Sequence, residues 1–334
     1  HDEAVTYYED MIDNMAIGQK FIKDNFGVTP TVGWQIDPFG HSNTNAALFS
    51  KMGLNAFWFA RIDYQDKNKR KREKNLEFIW EPRTSQGDEN QILAIINFDH
   101  YDFPRGLCFD YHCEIRAPPV VDDPTLLGYN VDDYAQTFAN YVRKASDSYY
   151  THNHIAFMMG GDFAYEISAM PFSNYDKIKN YINERPEEFN MKVTYTNPSE
   201  YVDHIHAEHL NFTINNADFF PYADRENAYW TGYFSSRNYL KGLVRKSGKE
   251  LQNVRRLLTY SLWRGESSFD QSTLDGIWKA LNFMERKQAE LQHHDGVTGT
   301  SQQHVVDDYT RYLSLARDTL HQVSLLLLLC SLIS

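Results

Sequence analysis

The chain has 334 residues, of which 42% are hydrophobic and 23% charged, and its formal net charge is −12. This is the composition of a globular protein, and the length predicts two domains, or one large domain with an appendage. The acidic balance argues against nucleic-acid binding, which usually requires a basic face. Three cysteines are too few for a disulfide framework.

The chain begins with His1 instead of Met. We therefore expect a processed or incomplete chain, with any signal peptide outside the sequence. The longest apolar run, 323–333, is shorter than the roughly 18 residues that a membrane span requires. We expect no membrane span, and the segment 323–334 is an apolar tail to which the sequence assigns no role.

Strand-like and helix-like segments alternate through the first two-thirds of the chain. Apolar residues at helical spacing predict helices over 4–25 and 44–52, each followed by a glycine, Gly27 and Gly53, that favours a helix end. Asn197, with the proline and acid after it, predicts the start of another helix. The predicted strands are 31–36, 56–60, 78–80, 92–98, 155–159 and 191–195. Strands interleaved with helices indicate a parallel sheet or a barrel.

The pattern changes after about residue 220. Long apolar periodicities predict helices over 237–263, 274–291 and 305–320, and no strand-like run lies among them. Long helices joined by short links are typical of an antiparallel bundle. The segment 221–233 is the predicted linker to it.

Two acids directly follow predicted strands. Asp37 is followed by a Pro-Phe-Gly turn, and Asp162 is preceded by two glycines. Residues at the carboxyl ends of strands line the active sites of α/β barrels, and two carboxylates there suit glycoside hydrolysis. Spacing alone nevertheless favours simpler interpretations, a helix cap at Asp37 and a turn acid at Asp162.

Histidines form two clusters in the sequence. His293, His294 and Asp295 are a candidate metal corner at the end of a predicted long helix, although spacing alone favours a polar helix end. The second cluster is predicted to be solvated on a surface helix. Its members are His204, His206 and His209.

Two further features favour a secretory route. Cys108 and Cys113 are five residues apart and could close a small loop in an oxidising compartment, or remain thiols in the cytosol. Asn211 begins a usable glycosylation sequon, whereas Pro198 disrupts the one at Asn197.

Several separated motifs together resemble glycoside hydrolase family 38, in its lysosomal-type α-mannosidase branch. The most specific is 34–42, which reads Trp-Gln-Ile-Asp-Pro-Phe-Gly-His-Ser. The other motifs are Arg61 with Asp63-Tyr64-Gln65-Asp66, Gly161-Asp162-Phe163-Ala164-Tyr165-Glu166, Asp218-Phe219-Phe220-Pro221-Tyr222, Trp230-Thr231-Gly232-Tyr233-Phe234-Ser235-Ser236-Arg237 and Gln292-His293-His294-Asp295. The resemblance covers roughly 1–323.

The resemblance implies an α/β fold: an incomplete seven-stranded α/β barrel of the glycoside hydrolase/deacetylase type over 1–222, followed by a three-helix bundle over 223–322, the family's central domain. The family's first strand leads into a His-x-Asp motif that has no match here. We therefore expect that strand to be missing, together with the β-rich domains that normally follow the bundle.

The resemblance also implies a chemistry. The enzyme would be a retaining, zinc-dependent α-mannosidase that removes terminal non-reducing α-D-mannose from N-glycan oligosaccharides. Asp37 would be the nucleophile and a zinc ligand, Asp162 the general acid and base, and His294 a second zinc ligand. Retention implies carboxyl groups about 5–5.5 Å apart. With two of the four expected protein ligands, we expect weak zinc binding.

Further roles follow from the same resemblance. Four residues match pocket positions around the metal and the sugar: Phe39, Arg61, Tyr101 and Asp295. Cys108 and Cys113 match a short-range disulfide of the family. With the sequon at Asn211, they predict a lysosomal protein that reaches its compartment by the secretory route.

Two other functions are also compatible with the sequence. A Golgi-type processing α-mannosidase usually carries two adjacent acids where this chain has Gly161-Asp162, and a basic residue where it has Ala164. A mannose-binding fragment without catalysis is the other alternative, although the presence of both Asp37 and Asp162 argues against it for the full gene product. Linkage specificity and a homo-oligomer of the full-length protein are left open.

Overall fold

The computed structural model describes residues 1–82, 90–264 and 269–333. The chain divides into two compact units. The first consists of His1–Pro30, Asp37–Met52 and Ala217–Ser334, and the second of Thr31–Ile36 and Gly53–Asn216. The fold is mixed α/β, with a five-stranded sheet in the second unit and a helical C-terminal part in the first.

The sheet is built mainly from short apolar strands. Its strands are β1 (Val32–Gln35), β2 (Ala56–Phe59), β3 (Glu77–Trp80), β4 (Ile92–Ile96) and β5 (Ile214–Asn215). Their order is β1-β2-β4-β3-β5, with β1, β2 and β4 parallel and β3 antiparallel to β4. Every residue of β2 is buried, which is the pattern of an inner parallel strand covered on both faces. The first four strand predictions are confirmed.

Of the ten α-helices among the described residues, six match predicted ones, and the other four were not predicted. In chain order the helices are α1 (Tyr8–Phe26), α2 (Asn43–Lys51), α3 (Tyr64–Glu73), α4 (Val131–Tyr149), α5 (Ala169–Asn183), α6 (Pro186–Phe189), α7 (Pro198–Ala207), α8 (Asn238–Arg264), α9 (Gln271–Glu290) and α10 (Gln303–Ile333). The six that match are α1, α2, α7, α8, α9 and α10. Gly27 ends α1 in the left-handed conformation, with φ of 69°. Asn197 and Glu200 form a capping box at the start of α7.

The strand prediction over 155–159 is wrong, because this described segment belongs to no strand of the sheet. Its side chains do alternate: Ala156 and Met158 pack against one apolar cluster, and Phe157 and Met159 against another. The alternation that predicted a strand is therefore real. A strand also needs a hydrogen-bonded neighbour, which periodicity in one sequence does not report.

The strand prediction over 191–195 is also wrong, for a different reason. Met191 and Val193 pack against an apolar cluster, as strand residues would. However, the side chain of Asn183 takes both backbone groups of Val193: its Oδ1 accepts from the N–H and its Nδ2 donates to the carbonyl, each at 2.8 Å. A side-chain amide thus occupies the positions of a strand ladder.

The long helices α8, α9 and α10 of the first unit pack around one apolar core, and α1 packs against α9. The predicted apolar tail is the last part of α10 as far as residue 333. Its Val323 and Leu327 are buried in that core, whereas Leu325 and Leu329 are exposed. Ser334 lies outside the described residues. Among the described helices, none has the length and apolarity needed to cross a membrane.

A buried carboxylate lies where α1 meets α8 and α9. Asp10 is 4% exposed, and a Cβ on Gly248 would come within 2.6 Å of its Oδ1, so only glycine leaves room for the carboxyl group. Burial raises the pKa of Asp10 to about 6, against the opposing effect of a hydrogen bond with Gln288. Ionised Asp10 is therefore a cost to folding.

This predicts a stability that falls as pH rises. Asp10 holds its proton up to about pH 6 in the folded chain but only to about 3.8 when unfolded. Its favourable contribution is therefore complete below about 3.8 and lost above about 6, a difference of about 3 kcal/mol. Asp10→Asn should raise the free energy of unfolding at pH 7 and change it much less near pH 4, as measured by urea denaturation.

Asp24→Asn provides the control, because Asp24 lies on the same helix as an exposed partner of Lys20. It should leave the free energy of unfolding nearly unchanged at both pH values. An effect of Asp10→Asn that is equal at pH 4 and pH 7 would contradict the prediction.

Candidate active site

Asp37 and His294 meet in the first unit, although they lie near opposite ends of the sequence. Asp37 follows β1 in the chain, and His294 lies in the turn after α9. His294 Nε2 is 2.9 Å from Asp37 Oδ2, and about one-fifth of each side chain is exposed. The pair is thus sheltered from bulk water but still reachable by a ligand.

The turn after Asp37 has a conformation that requires glycine. Gly40 has φ of 112°, and a Cβ there would lie 2.5 Å from the ring of Phe220 and 2.8 Å from the carbonyl oxygen of Phe219. The backbone of His41 pairs with that of Phe219 in an isolated antiparallel β-bridge. The Asp-Pro-Phe-Gly-His run is therefore held against 219–220.

A buried carboxylate fixes the end of this turn. Glu3 Oε1 is 2.8 Å from His41 Nδ1, and Glu3 Oε2 accepts a hydrogen bond from the backbone N–H of Ser42 at 2.8 Å. Ser42 then caps α2, with its side chain accepting from the N–H of Thr44. The interpretation of Asp37 as the cap of the next helix is therefore wrong.

Phe39 packs against His294 and does so from a buried position. Its ring meets the imidazole edge-to-face, with centroids 5.9 Å apart, and lies 5.2 Å from the ring of Tyr233. The hydroxyl of Tyr233 donates to the carbonyl of Phe39 at 2.9 Å. These contacts restrict the orientation of the imidazole toward Asp37.

The residues around His294 are close enough together to hold a metal ion. One ligand atom from each of His293, His294 and Asp295 lies within 4.8 Å of the others, and Asp37 adds an oxygen beside His294. A hydrogen bond from His293, helped by one from Thr300 and opposed by burial, lowers the pKa of Asp295. Nitrogen and carboxylate oxygen donors suit zinc, whose tetrahedral ligands lie about 3.3 Å apart.

Asp162 lies in the second unit, at the end of a short relay of polar groups. The hydroxyl of Tyr101 donates to Asp162 Oδ1 at 3.3 Å, and Arg61 Nη2 donates to the same hydroxyl oxygen at 3.3 Å. Arg61 follows β2 and Tyr101 follows β4, two neighbouring parallel strands. Parallel strands end at the same edge of a sheet, which brings these two side chains together.

Asp162 opens on a cleft of about 820 Å³, within the usual range of ligand pockets. Gly160, Gly161 and Asp162 line one part of it, and the loop from Cys108 to Pro118 lines another. Cys108 and Cys113 form a disulfide that closes this loop. The alternative of two free thiols is therefore not what the structure contains.

The second histidine cluster and the asparagine of the glycosylation sequon lie on the surface. His204, His206 and His209 are exposed, as predicted for a solvated helix, and so is Asn211 of the sequon. Asp37 belongs to the first unit and Asp162 to the second, and the separation of their carboxyl groups stays a prediction.

Two structural carboxylates were not found from the sequence. Glu3 and Asp110 have buried side chains that accept hydrogen bonds from the backbone beside the predicted site residues. The position of Asp110 between two cysteines is a signal that could have identified it. No local pattern distinguishes Glu3 from other acids near its position.

Comparison with known proteins assigns the family. Residues 1–225 match the glycosyl hydrolases family 38 N-terminal domain, and residues 228–325 match the alpha mannosidase middle domain. A lysosomal alpha-mannosidase of Dictyostelium discoideum is 40% identical over 315 residues, which are 94% of this chain and 30% of that protein. The human lysosomal alpha-mannosidase is 37% identical over 319 residues, 94% of this chain and 31% of that protein.

The fold itself has a counterpart among solved structures. An alpha-mannosidase from Enterococcus faecalis superposes with a TM-score of 0.68 at 16% identity, covering 100% of this chain and 33% of that one. The chain thus spans about a third of the length of these relatives. Because the two domain profiles together cover most of its residues, the chain belongs to glycosyl hydrolase family 38.

Proposed function

We propose that this chain carries the catalytic part of a retaining, zinc-dependent α-mannosidase, which hydrolyses terminal non-reducing α-D-mannose residues of N-glycan oligosaccharides. The observation that carries the proposal is the contact between Asp37 and His294, two motif residues of a family whose members include curated α-mannosidases. The proposed domains are an α/β barrel over 1–222 and a three-helix bundle over 223–322.

Asp37 and His294 are the residues proposed to hold zinc. Their donor atoms are 2.9 Å apart, and Phe39 and Tyr233 restrict the ring that presents the nitrogen. When bound, zinc would supply a positive charge that keeps Asp37 ionised and attracts hydroxyl oxygens of the sugar. Asp295, beside His294, is the proposed partner for a mannose hydroxyl.

The two acids have different proposed tasks. The carboxylate of Asp37 attacks the anomeric carbon while Asp162 gives its proton to the departing glycosidic oxygen. Asp162 then accepts a proton from water, which attacks the same carbon, breaks its bond to Asp37 and releases mannose with its configuration retained. Tyr101 orients the carboxyl of Asp162, and Arg61 orients Tyr101 through the hydrogen bonds that join them.

We also propose a lysosomal location. The relatives from Dictyostelium discoideum and human are named lysosomal, the chain contains a disulfide, and the sequon at Asn211 is exposed. Disulfides persist in compartments of the secretory route and are rare in the cytosol.

Substitution of the two acids separates their tasks. Asp37→Asn should lower kcat/KM on the order of 10⁴-fold with every mannoside, because all of them need the nucleophile. Asp162→Asn should cost about 10²- to 10⁴-fold with α-mannobiose but far less with 2,4-dinitrophenyl α-mannoside, whose leaving group departs without a proton. Normal turnover by Asp37→Asn would refute the mechanism, and Asp24→Asn serves as an exposed control.

Zinc binding provides an independent readout. His294→Ala should lower zinc affinity by more than about tenfold, since even the loss of a group that only orients a ligand costs 10- to 100-fold. His304→Ala, at an exposed histidine of α10, is the control and should keep zinc and activity. His293→Ala should keep zinc, because we assign no metal bond to it. Loss of zinc with His293→Ala but not with His294→Ala would reverse the assignment.

The number of ligands gives a further prediction for the chain itself. With Asp37 and His294 as assigned protein ligands, the purified 334-residue chain should lose zinc on dialysis against a weak chelator, because catalytic zinc sites usually have three protein ligands. Stoichiometric zinc by elemental analysis after that dialysis would contradict this assignment.

A further inference from the structure

The turn that carries Asp162 has a backbone conformation that is unfavourable for the residue types found in it. Phe163 and Tyr165 both have left-handed conformations, with φ of 59° and 69°. Such values are rare for bulky side chains, because the Cβ then crowds the backbone. The side chain of Phe163 is 83% exposed, so its own burial does not offset this strain. Surrounding groups must therefore hold the turn.

One of those groups is the carboxylate of Asp110, which is fully buried. Its Oδ2 accepts a hydrogen bond from the backbone N–H of Tyr165 at 2.8 Å, and its Oδ1 accepts from the N–H of His112 at 3.0 Å. Asp110 itself lies inside the loop that the Cys108–Cys113 disulfide closes. A single carboxylate thus joins the cross-linked loop to the turn of Asp162.

Two other contacts strengthen this connection. His112 Nε2 is 2.9 Å from Glu166 Oε2, which ties the loop to the residue after the turn. The hydroxyl of Tyr165 donates to the carbonyl of Met159 at 2.6 Å. Burial, with the charge of Asp110 adding to it, raises the pKa of Tyr165 to about 12, so this hydroxyl keeps its proton.

We propose that Asp110 is a positioning residue that holds the turn of Asp162 in the orientation needed for proton transfer. The inference rests on the proposed function, because it takes Asp162 as the general acid. Without the carboxylate, the N–H of Tyr165 loses its partner and the left-handed turn loses the contact that opposes its strain. Asp162 would then present its proton away from the glycosidic oxygen.

The test compares two mannosides that differ in their need for an acid. In Asp110→Ala, which removes both acceptor oxygens, kcat/KM for α-mannobiose should fall about 10- to 100-fold, as for a small misplacement of a catalytic group. For 2,4-dinitrophenyl α-mannoside the fall should stay under about threefold, since that leaving group needs no proton. An equal fall with both substrates, or no fall, would overturn the proposal.

Glu77→Gln is the matched control, because Glu77 is another buried carboxylate of the same unit and accepts from the Tyr201 hydroxyl. It should leave the ratio of the two kcat/KM values unchanged. If Asp110→Ala fails to fold, Glu166→Ala decides instead, because the exposed Glu166 can be removed safely. It should shift the ratio in the same direction, and an unchanged ratio would overturn the proposal.

Asp162→Asn, assayed in parallel, separates the two levels of inference. If it shows no dependence on the leaving group, the assignment of the acid fails and the proposed function with it. If it shows that dependence while Asp110→Ala and Glu166→Ala do not, the positioning role alone is refuted.

Discussion

Buried carboxylates that accept backbone N–H groups hold the two turns on which the proposed chemistry depends. Glu3 accepts from Ser42 at the end of the turn that begins with Asp37, and Asp110 accepts from Tyr165 in the turn that carries Asp162. Each is distant in sequence from the turn that it fixes. A charge-assisted hydrogen bond in a dry environment is strong, and its loss leaves a buried donor unsatisfied. Such contacts therefore set backbone geometry more firmly than local preference does.

Burying a carboxylate is costly unless its oxygens find donors. Glu3 has the imidazole of His41 and a backbone N–H, and Asp110 has two backbone N–H groups. Asp10 is less well compensated, since its pKa is raised to about 6 chiefly by burial. Protonation below that value relieves the cost, so acidic conditions favour the packing of α1 on α8 and α9. Greater stability at acidic pH agrees with the proposed lysosomal location, because lysosomes are acidic.

A glycine and an aromatic residue shape the turn after Asp37 for steric reasons. Gly40 allows the chain to pass against Phe219 and Phe220, where any side chain would collide. Phe39 is buried, and its ring packs against His294. The motif around Asp37 therefore encodes a backbone path and the support of a histidine as well as the proposed nucleophile.

Local sequence was sufficient wherever neighbouring residues decide the structure. The end of α1 at Gly27 and the capping box of α7 were predictable because their hydrogen bonds form within one turn of chain. The segment 155–159 has the alternation of a strand but lacks the pairing. At 191–195, the amide of Asn183 replaces a strand partner, and a distant side chain leaves no trace in local periodicity.

The sequence by itself determined the first four strands, six of the helices, the acid that follows β1 and the motifs that identify the family. Tertiary structure decided that Ser42 and not Asp37 caps α2. The structure also provided the contact of His294 with Asp37 and the Cys108–Cys113 disulfide, which the family resemblance implied but spacing alone left open. It also decided the roles of Glu3 and Asp110. The physical reason is that each of these outcomes depends on which groups meet in space, because a hydrogen bond or ion pair acts over a few ångströms whatever the separation along the chain.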